Sequence, residues 1–91
     1  MIYEIAYSTK FKKDYKLMVK RHYDMVLLEK VITILASGQE LPKEYKDHSL
    51  AGNYAGHREC HITSDWLLVY RIEEGLLVLV LIRTGTHSDL F

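Results

Sequence analysis

Five histidines in a chain of 91 residues put proton transfer first among the reactions this sequence could perform, because imidazole is the side chain that titrates near neutral pH. His87 lies in a polar tail after Gly85 and His48 in a polar loop, where burial gives little reason for an imidazole. His61 opens the stretch His61-Ile62-Thr63-Ser64-Asp65-Trp66-Leu67-Leu68-Val69-Tyr70, in which a turn carrying a histidine and an aspartate runs into an almost wholly apolar strand. Arg83 closes a second apolar run, and His87 follows four residues later. Histidine, aspartate and arginine together suit acid-base cleavage of a phosphodiester: imidazoles move the protons and a guanidinium holds the phosphate and the charge that builds on it. In RNA the 2'-hydroxyl is an internal nucleophile, and no metal is required.

A metal site is the competing use of these histidines. His57 and His61 would share a strand face about 13 Å apart at the rise of a strand, too far for one ion. There is no His-Glu-x-x-His helix and no Cys-x-x-Cys pair. A site assembled from His48, His61 and His87 across loops has no spacing signature in its favour and stays open. Taken singly, His61 reads as a satisfied sheet residue, Asp65 as a turn former and Trp66 as a core aromatic. His22 and His57 read as surface or half-buried residues without a role.

The elements that must position these residues follow from periodicity. Ile2 to Tyr7 is rich in β-formers and reads as a first strand. Ser8 or Thr9 caps a helix with Phe11, Tyr15, Met18 and His22 at helical spacing; Asp24 caps a second with Met25, Leu28, Val31, Ile32 and Leu35, ended by Gly38. From Gln39 to Ala55 the pattern lapses into a long loop around the sole proline, Pro42, with Lys46 and His48 polar and available. His57 to Ile62, the run after Asp65, and Leu76 to Ile82 read as an antiparallel meander turning at Glu73-Glu74-Gly75. In that register Ile72 lies near Leu76, Leu68 near Val80, and Asp65 or Trp66 near Ile82 and Arg83, so one sheet end gathers His61, Asp65 and Arg83. The expected fold is α+β: an N-terminal strand, a two-helix hairpin and a three-stranded antiparallel meander (β-α-α-β-β-β), with the helices on one sheet face.

Residues 1–91 have room for one domain. No apolar run reaches the roughly 18 residues of a membrane span, and the N-terminus carries no signal-peptide pattern, so a cytoplasmic protein without membrane association is expected. Cys60, the single cysteine, excludes a disulfide framework and reads as a small core residue. Formal net charge is zero, which argues against holding nucleic acid by bulk electrostatics. The charge is uneven, however: Lys10, Lys12, Lys13, Lys16, Lys20 and Arg21 cluster on the first helix against Asp14 alone. That cluster is either a solvated helix face or a phosphate-facing patch.

Several of these pieces occur in a specific order: Tyr45-Lys46-Asp47-His48, Gly56 to Arg58, His61 with Asp65-Trp66, Arg83-Thr84-Gly85-Thr86-His87, and the terminal Leu90-Phe91. In that combination, over nearly its whole length, the chain resembles the YafQ-type toxins of bacterial type II toxin-antitoxin systems, within the RelE/ParE superfamily. The resemblance implies a ribosome-dependent mRNA endonuclease without a cofactor, inhibited by a cognate antitoxin and meeting operator DNA only through the antitoxin complex. It puts catalytic roles on His48, His61, Asp65 and His87, substrate contacts on Arg83, Phe91 and Lys46, and the ribosome-facing surface on the basic face of the first helix. His48 or His87 would take the 2'-hydroxyl proton, and His87 or Asp65 would protonate the departing 5'-oxygen. The principal rival is a ParE-like, non-enzymatic inhibitor of a protein target such as gyrase; a metal-dependent hydrolase is a weaker third.

Overall fold

The computed structural model describes residues 2–91. Its strands are β1 (Glu4–Tyr7), β2 (His48–Ser49), β3 (Arg58–Thr63), β4 (Trp66–Glu73) and β5 (Val78–Gly85); its helices are α1 (Thr9–Lys20), α2 (Met25–Ala36) and α3 (His87–Leu90). They form one five-stranded sheet in the order β1-β5-β4-β3-β2, with β1 parallel to β5 and the other neighbours antiparallel. The expected strand, helical hairpin and meander are all present.

Both long helices begin where the sequence caps them. Ser8 Oγ accepts the Phe11 amide at 2.9 Å and also donates to the Ile82 carbonyl at 2.6 Å, tying the start of α1 to β5. Asp24 accepts the Val26 amide at 3.2 Å. Past α2, Gly38 adopts φ 80, and the Gly38 and Gln39 amides return to the Leu35 and Ile34 carbonyls, the glycine-terminated ending that leaves no carbonyl of the last turn stranded. Phe11, Met18, Leu28, Val31 and Leu35 are buried against Cys60, Ile62, Trp66, Leu68, Tyr70, Leu79 and Leu81 of the sheet. His22 leaves the α1 stripe: it sits exposed past the helix end in the left-handed region at φ 63.

Three features differ from the sequence reading. The long loop contains a strand, β2, whose two residues pair with β3 as His48 opposite Glu59 and Ser49 opposite Arg58. The C-terminus forms the short helix α3 over the other sheet face, where Leu90 joins Leu67 and Val69 in a second small core with Leu50, Tyr54 and Ile82.

The β4–β5 register is also shifted from expectation. Ile72 faces Leu79 and Leu68 faces Thr84, with a bulge between Val69 and Tyr70. The turn is longer than Glu73-Glu74-Gly75: it runs through Glu74–Leu76 and reverses at Leu77, a leucine in the left-handed region at φ 52. Arg83 therefore faces Val69, well along the strand from the β3–β4 turn that carries Asp65.

Candidate active site

Strand alternation sorts β3 between the two sheet faces. Cys60 and Ile62 point into the helix-covered core, while Glu59 and His61 belong to the opposite face, the one α3 and the Leu50–Tyr54 segment partly cover. His48 arrives there through β2. Its placement depends on Asp47, whose carboxylate accepts from the Tyr70 hydroxyl at 2.8 Å and from Arg58 Nε at 3.2 Å; Arg58 also reaches Ser49 Oγ at 2.8 Å. Burial, reinforced by Asp47, pushes the Tyr70 hydroxyl well above the ordinary tyrosine range, so it remains a donor and the tie persists across physiological pH. Lys46 adopts φ 50 and turns its carbonyl to accept His48 Nδ1 at 2.7 Å. That bond fixes the ring orientation and leaves Nε2 facing Glu59 Oε1 at 3.5 Å.

Three imidazoles thus form a row. The His48 and His61 ring centroids are 6.3 Å apart, those of His61 and His87 6.2 Å, and the row continues to the Phe91 ring 6.1 Å beyond His87. Two carboxylates sit against it. Glu59, only 4% exposed, lies between His48 and His61, its Oε1 3.9 Å from His61 Nε2. Asp65, exposed in the β3–β4 turn, places Oδ1 3.7 Å from His87 Nδ1 and 3.4 Å from the His87 amide. The row offers what two-proton chemistry needs: several imidazoles side by side, carboxylates within reach of their ring nitrogens, and an aromatic face at one end on which a base can stack.

The structure therefore brings together His48, His61, Asp65, His87 and Phe91. Lys46 borders them in a cleft of about 400 Å³ shared with Tyr45, His61 and Ser64. Arg83 has a different setting. Its guanidinium is held by Asp14 of α1, with Nε to Oδ2 at 2.7 Å and Nη2 to Oδ1 at 3.1 Å, and Asp14 also accepts the Thr84 amide at 3.1 Å. The Tyr54 ring meets Phe91 edge-on at 5.6 Å, at the end of the row away from His48. Of the basic patch, Lys10, Lys12, Lys13, Lys16 and Lys20 are exposed, whereas Arg21 is engaged by Asp89 at 2.8 Å and is not a free surface charge. His57 stays apart, its Nδ1 against the Tyr54 carbonyl at 3.2 Å.

Sequence reasoning missed Glu59, Asp14 and Asp89. For Glu59 a signal existed: it stands two residues before His61 and so shares its strand face. Its pairing with His48 was hidden because a two-residue strand has no periodicity to read. A groove of about 640 Å³ between α1 and α2, lined by Tyr7, Phe11, Tyr15 and Ile32 with Lys12, Lys16 and Glu29, lies on the helix side of the sheet and contains none of these groups.

Comparison with known proteins bears on this geometry. The family model for the bacterial toxin of type II toxin-antitoxin systems, YafQ, matches residues 3–91. The mRNA interferase toxin YafQ of Escherichia coli K12 is 44% identical over 89 residues, covering 97% of this chain and 95% of that protein. In the solved E. coli DinJ–YafQ complex a chain superposes with a TM-score of 0.89 at 42% identity, covering 98% of both chains. A metal-bound toxin from Helicobacter pylori superposes with a TM-score of 0.92 at 47% identity, covering 100% of both. Among the described residues of the present chain no three His, Cys, Asp or Glu side chains are grouped as metal ligands.

Proposed function

Because the chain belongs to the YafQ family of bacterial toxins from type II toxin-antitoxin systems, we propose that it is an endoribonuclease that cuts translated mRNA on the ribosome and is restrained by a cognate antitoxin. The observation that carries this reading is the row of His48, His61 and His87, flanked by Glu59 and Asp65 and ending on Phe91. The mRNA interferase name of the E. coli relative and the DinJ complex support the activity and the partner. Any contact with operator DNA runs through the antitoxin.

In the proposed reaction, His48 or His87 removes the 2'-hydroxyl proton of the nucleotide stacked against Phe91, which is 60% exposed, and the freed oxygen attacks the adjacent phosphorus. His87, or Asp65 in its protonated form, returns a proton to the departing 5'-oxygen. The products are a 2',3'-cyclic phosphate and a 5'-hydroxyl. His61 in its protonated form, with Glu59 behind it, stabilises the charge on the phosphorane, and Arg83 and Lys46 hold flanking phosphates. General acid and general base each contribute about 10² to 10⁴ in rate, so His48→Ala and His87→Ala are each expected to lose activity in that range. Cleavage is expected to persist in chelator; loss that zinc restores would instead call for metal chemistry.

The deciding experiment is induction in cells beside His87→Ala, with mRNA 5'-ends mapped at nucleotide resolution. Cuts that follow the reading frame and vanish in the variant support the nuclease and the place of His87 in it. Growth arrest with intact mRNA in both overturns it in favour of a protein-target inhibitor.

A further inference from the structure

His87 and Phe91 are carried by a C-terminal helix of four residues, His87–Leu90. So short a helix does not hold itself: forming one turn fixes several dihedrals for a single hydrogen bond, and chain ends stay poorly ordered unless tied down. Its internal shape is set by a capping box, in which the Asp89 amide donates to Thr86 Oγ1 at 3.2 Å and the Thr86 amide donates to Asp89 Oδ2 at 2.9 Å. The box fixes the turn but not where it points. Leu90, buried in the second small core, anchors the helix, and its other contacts are the long Asp65 bond to the His87 amide at 3.4 Å and the edge-on Tyr54 ring against Phe91. Arg21, at the end of α1, supplies another attachment: Nη1 to Asp89 Oδ2 at 2.8 Å and Nη2 to Asp89 Oδ1 at 3.1 Å. A planar guanidinium on both carboxylate oxygens constrains direction as well as distance.

We propose that the Arg21–Asp89 pair is a positioning clamp that orients α3 and so aims His87 and Phe91 at the substrate. The proposal rests on the catalytic reading of His87 above. It gives Arg21 a task other than its apparent one, since Arg21 would otherwise count as one more cation of the basic α1 face. The two tasks separate kinetically. A surface contact to the ribosome contributes to KM, whereas a clamp contributes to kcat, because an error of about 1 Å in a reacting group costs up to about 10²-fold in rate.

The test uses the isolated toxin with ribosome-bound mRNA, comparing wild type, Arg21→Gln, Arg21→Lys and Lys30→Gln. Arg21 is varied because Asp89 also serves the capping box. Arg21→Gln is expected to lower kcat roughly 10- to 100-fold with KM unchanged, Arg21→Lys to recover part of it, and Lys30→Gln, at an exposed cation of α2 outside the basic patch, to leave both constants alone. Amide hydrogen exchange supplies a readout independent of activity: in Arg21→Gln the Leu90 and Phe91 amides should exchange faster while those of β4 and β5 keep their protection. A raised KM with kcat and exchange unchanged makes Arg21 a surface contact and overturns the clamp. Wild type that cuts nothing refutes the nuclease reading instead, and the exchange result still decides whether the pair orders α3.

Discussion

Consecutive residues of β3 have opposite fates, and the chemistry follows from which face each side chain takes. Glu59 faces the imidazoles and is nearly buried there; a buried polar group needs polar partners, and the His48 and His61 rings are the ones beside it. Glu59→Gln keeps the shape and replaces the carboxylate beside the two imidazoles with a neutral amide. It is expected to lower kcat by roughly 10²-fold, in the range of a single active-site electrostatic contribution, with little change in the urea midpoint; single-turnover cleavage beside an unfolding curve checks both. Cys60, the next residue, faces the helices and is fully buried. Burial, then Asp47 and Glu59, push its thiol well above the ordinary range, so the thiolate that reacts with alkylating agents is scarce. Labelling of the native protein by iodoacetamide should therefore follow the rare opening of the sheet and become fast only in denaturant; fast labelling under native conditions would place Cys60 elsewhere. The sorting of Glu59 and Cys60 to opposite faces was open to inspection in the sequence, since it needs only strand alternation. What Glu59 meets was not, because its partner lies eleven residues upstream in a loop held by Asp47, Tyr70 and Arg58.

Among the elements, the two long helices and the first strand were legible because each carries its own signal, an apolar stripe with a polar cap or a β-rich run. The β4–β5 register was not. Leu77 occupies the left-handed position where turn rules look for glycine, and the bulge at Val69 and Tyr70 shifts the pairing again without a mark in the sequence. Nor did α3 announce itself, since four residues hold no full period. Its docking is nevertheless tightly specified. A Cβ added at Gly85, which has φ 156, would sit 2.9 Å from Asp89 Cβ and 3.0 Å from Oδ2, so Gly85→Ala pushes against the residue that caps α3 and meets Arg21. That variant is expected to lose cleavage together with protection of the Leu90 and Phe91 amides. Acid should release α3 as well. The Arg21 guanidinium and then the Thr86 amide hold the Asp89 carboxyl down at about 2, against an ordinary 3.8. A depressed carboxylate contributes stability that is complete above its unfolded value and is lost as pH falls through its folded one. The NMR signals of Leu90 and Phe91 should therefore shift between about pH 4 and about pH 2, and that transition should be missing in Asp89→Asn.

At the scale of the molecule, a net charge of zero conceals a division between the two kinds of cation. Among the described residues every arginine is ion-paired within the chain, Arg21 with Asp89, Arg58 with Asp47, Arg71 with Glu73 and Arg83 with Asp14. No lysine makes such a pair among them. Asp14, which by sequence alone offsets the lysines of α1, is turned inward to Arg83, so the outer face of that helix carries Lys10, Lys12, Lys13, Lys16 and Lys20 without a facing acid of its own. Lysine is a flexible point charge suited to phosphates in many arrangements, without the fork geometry that recognises one. Such a face should bind a nucleic-acid backbone weakly, steeply dependent on salt and indifferent to sequence. Selection of the cut would then depend on a scaffold that presents the message to the imidazole row. Two results are expected. Naked RNA at physiological salt should be cut far more slowly than the same message in a translating ribosome; equal rates would remove the need for a scaffold. Neutralising Lys12, Lys13 and Lys16 to Gln should raise KM for ribosomes, leave kcat in place, and flatten the dependence of log affinity on log salt by roughly 0.7 to 0.9 for each phosphate no longer neutralised. A fall in kcat with the salt slope intact would instead tie these lysines to the chemistry, across the sheet from the histidines they are argued only to deliver.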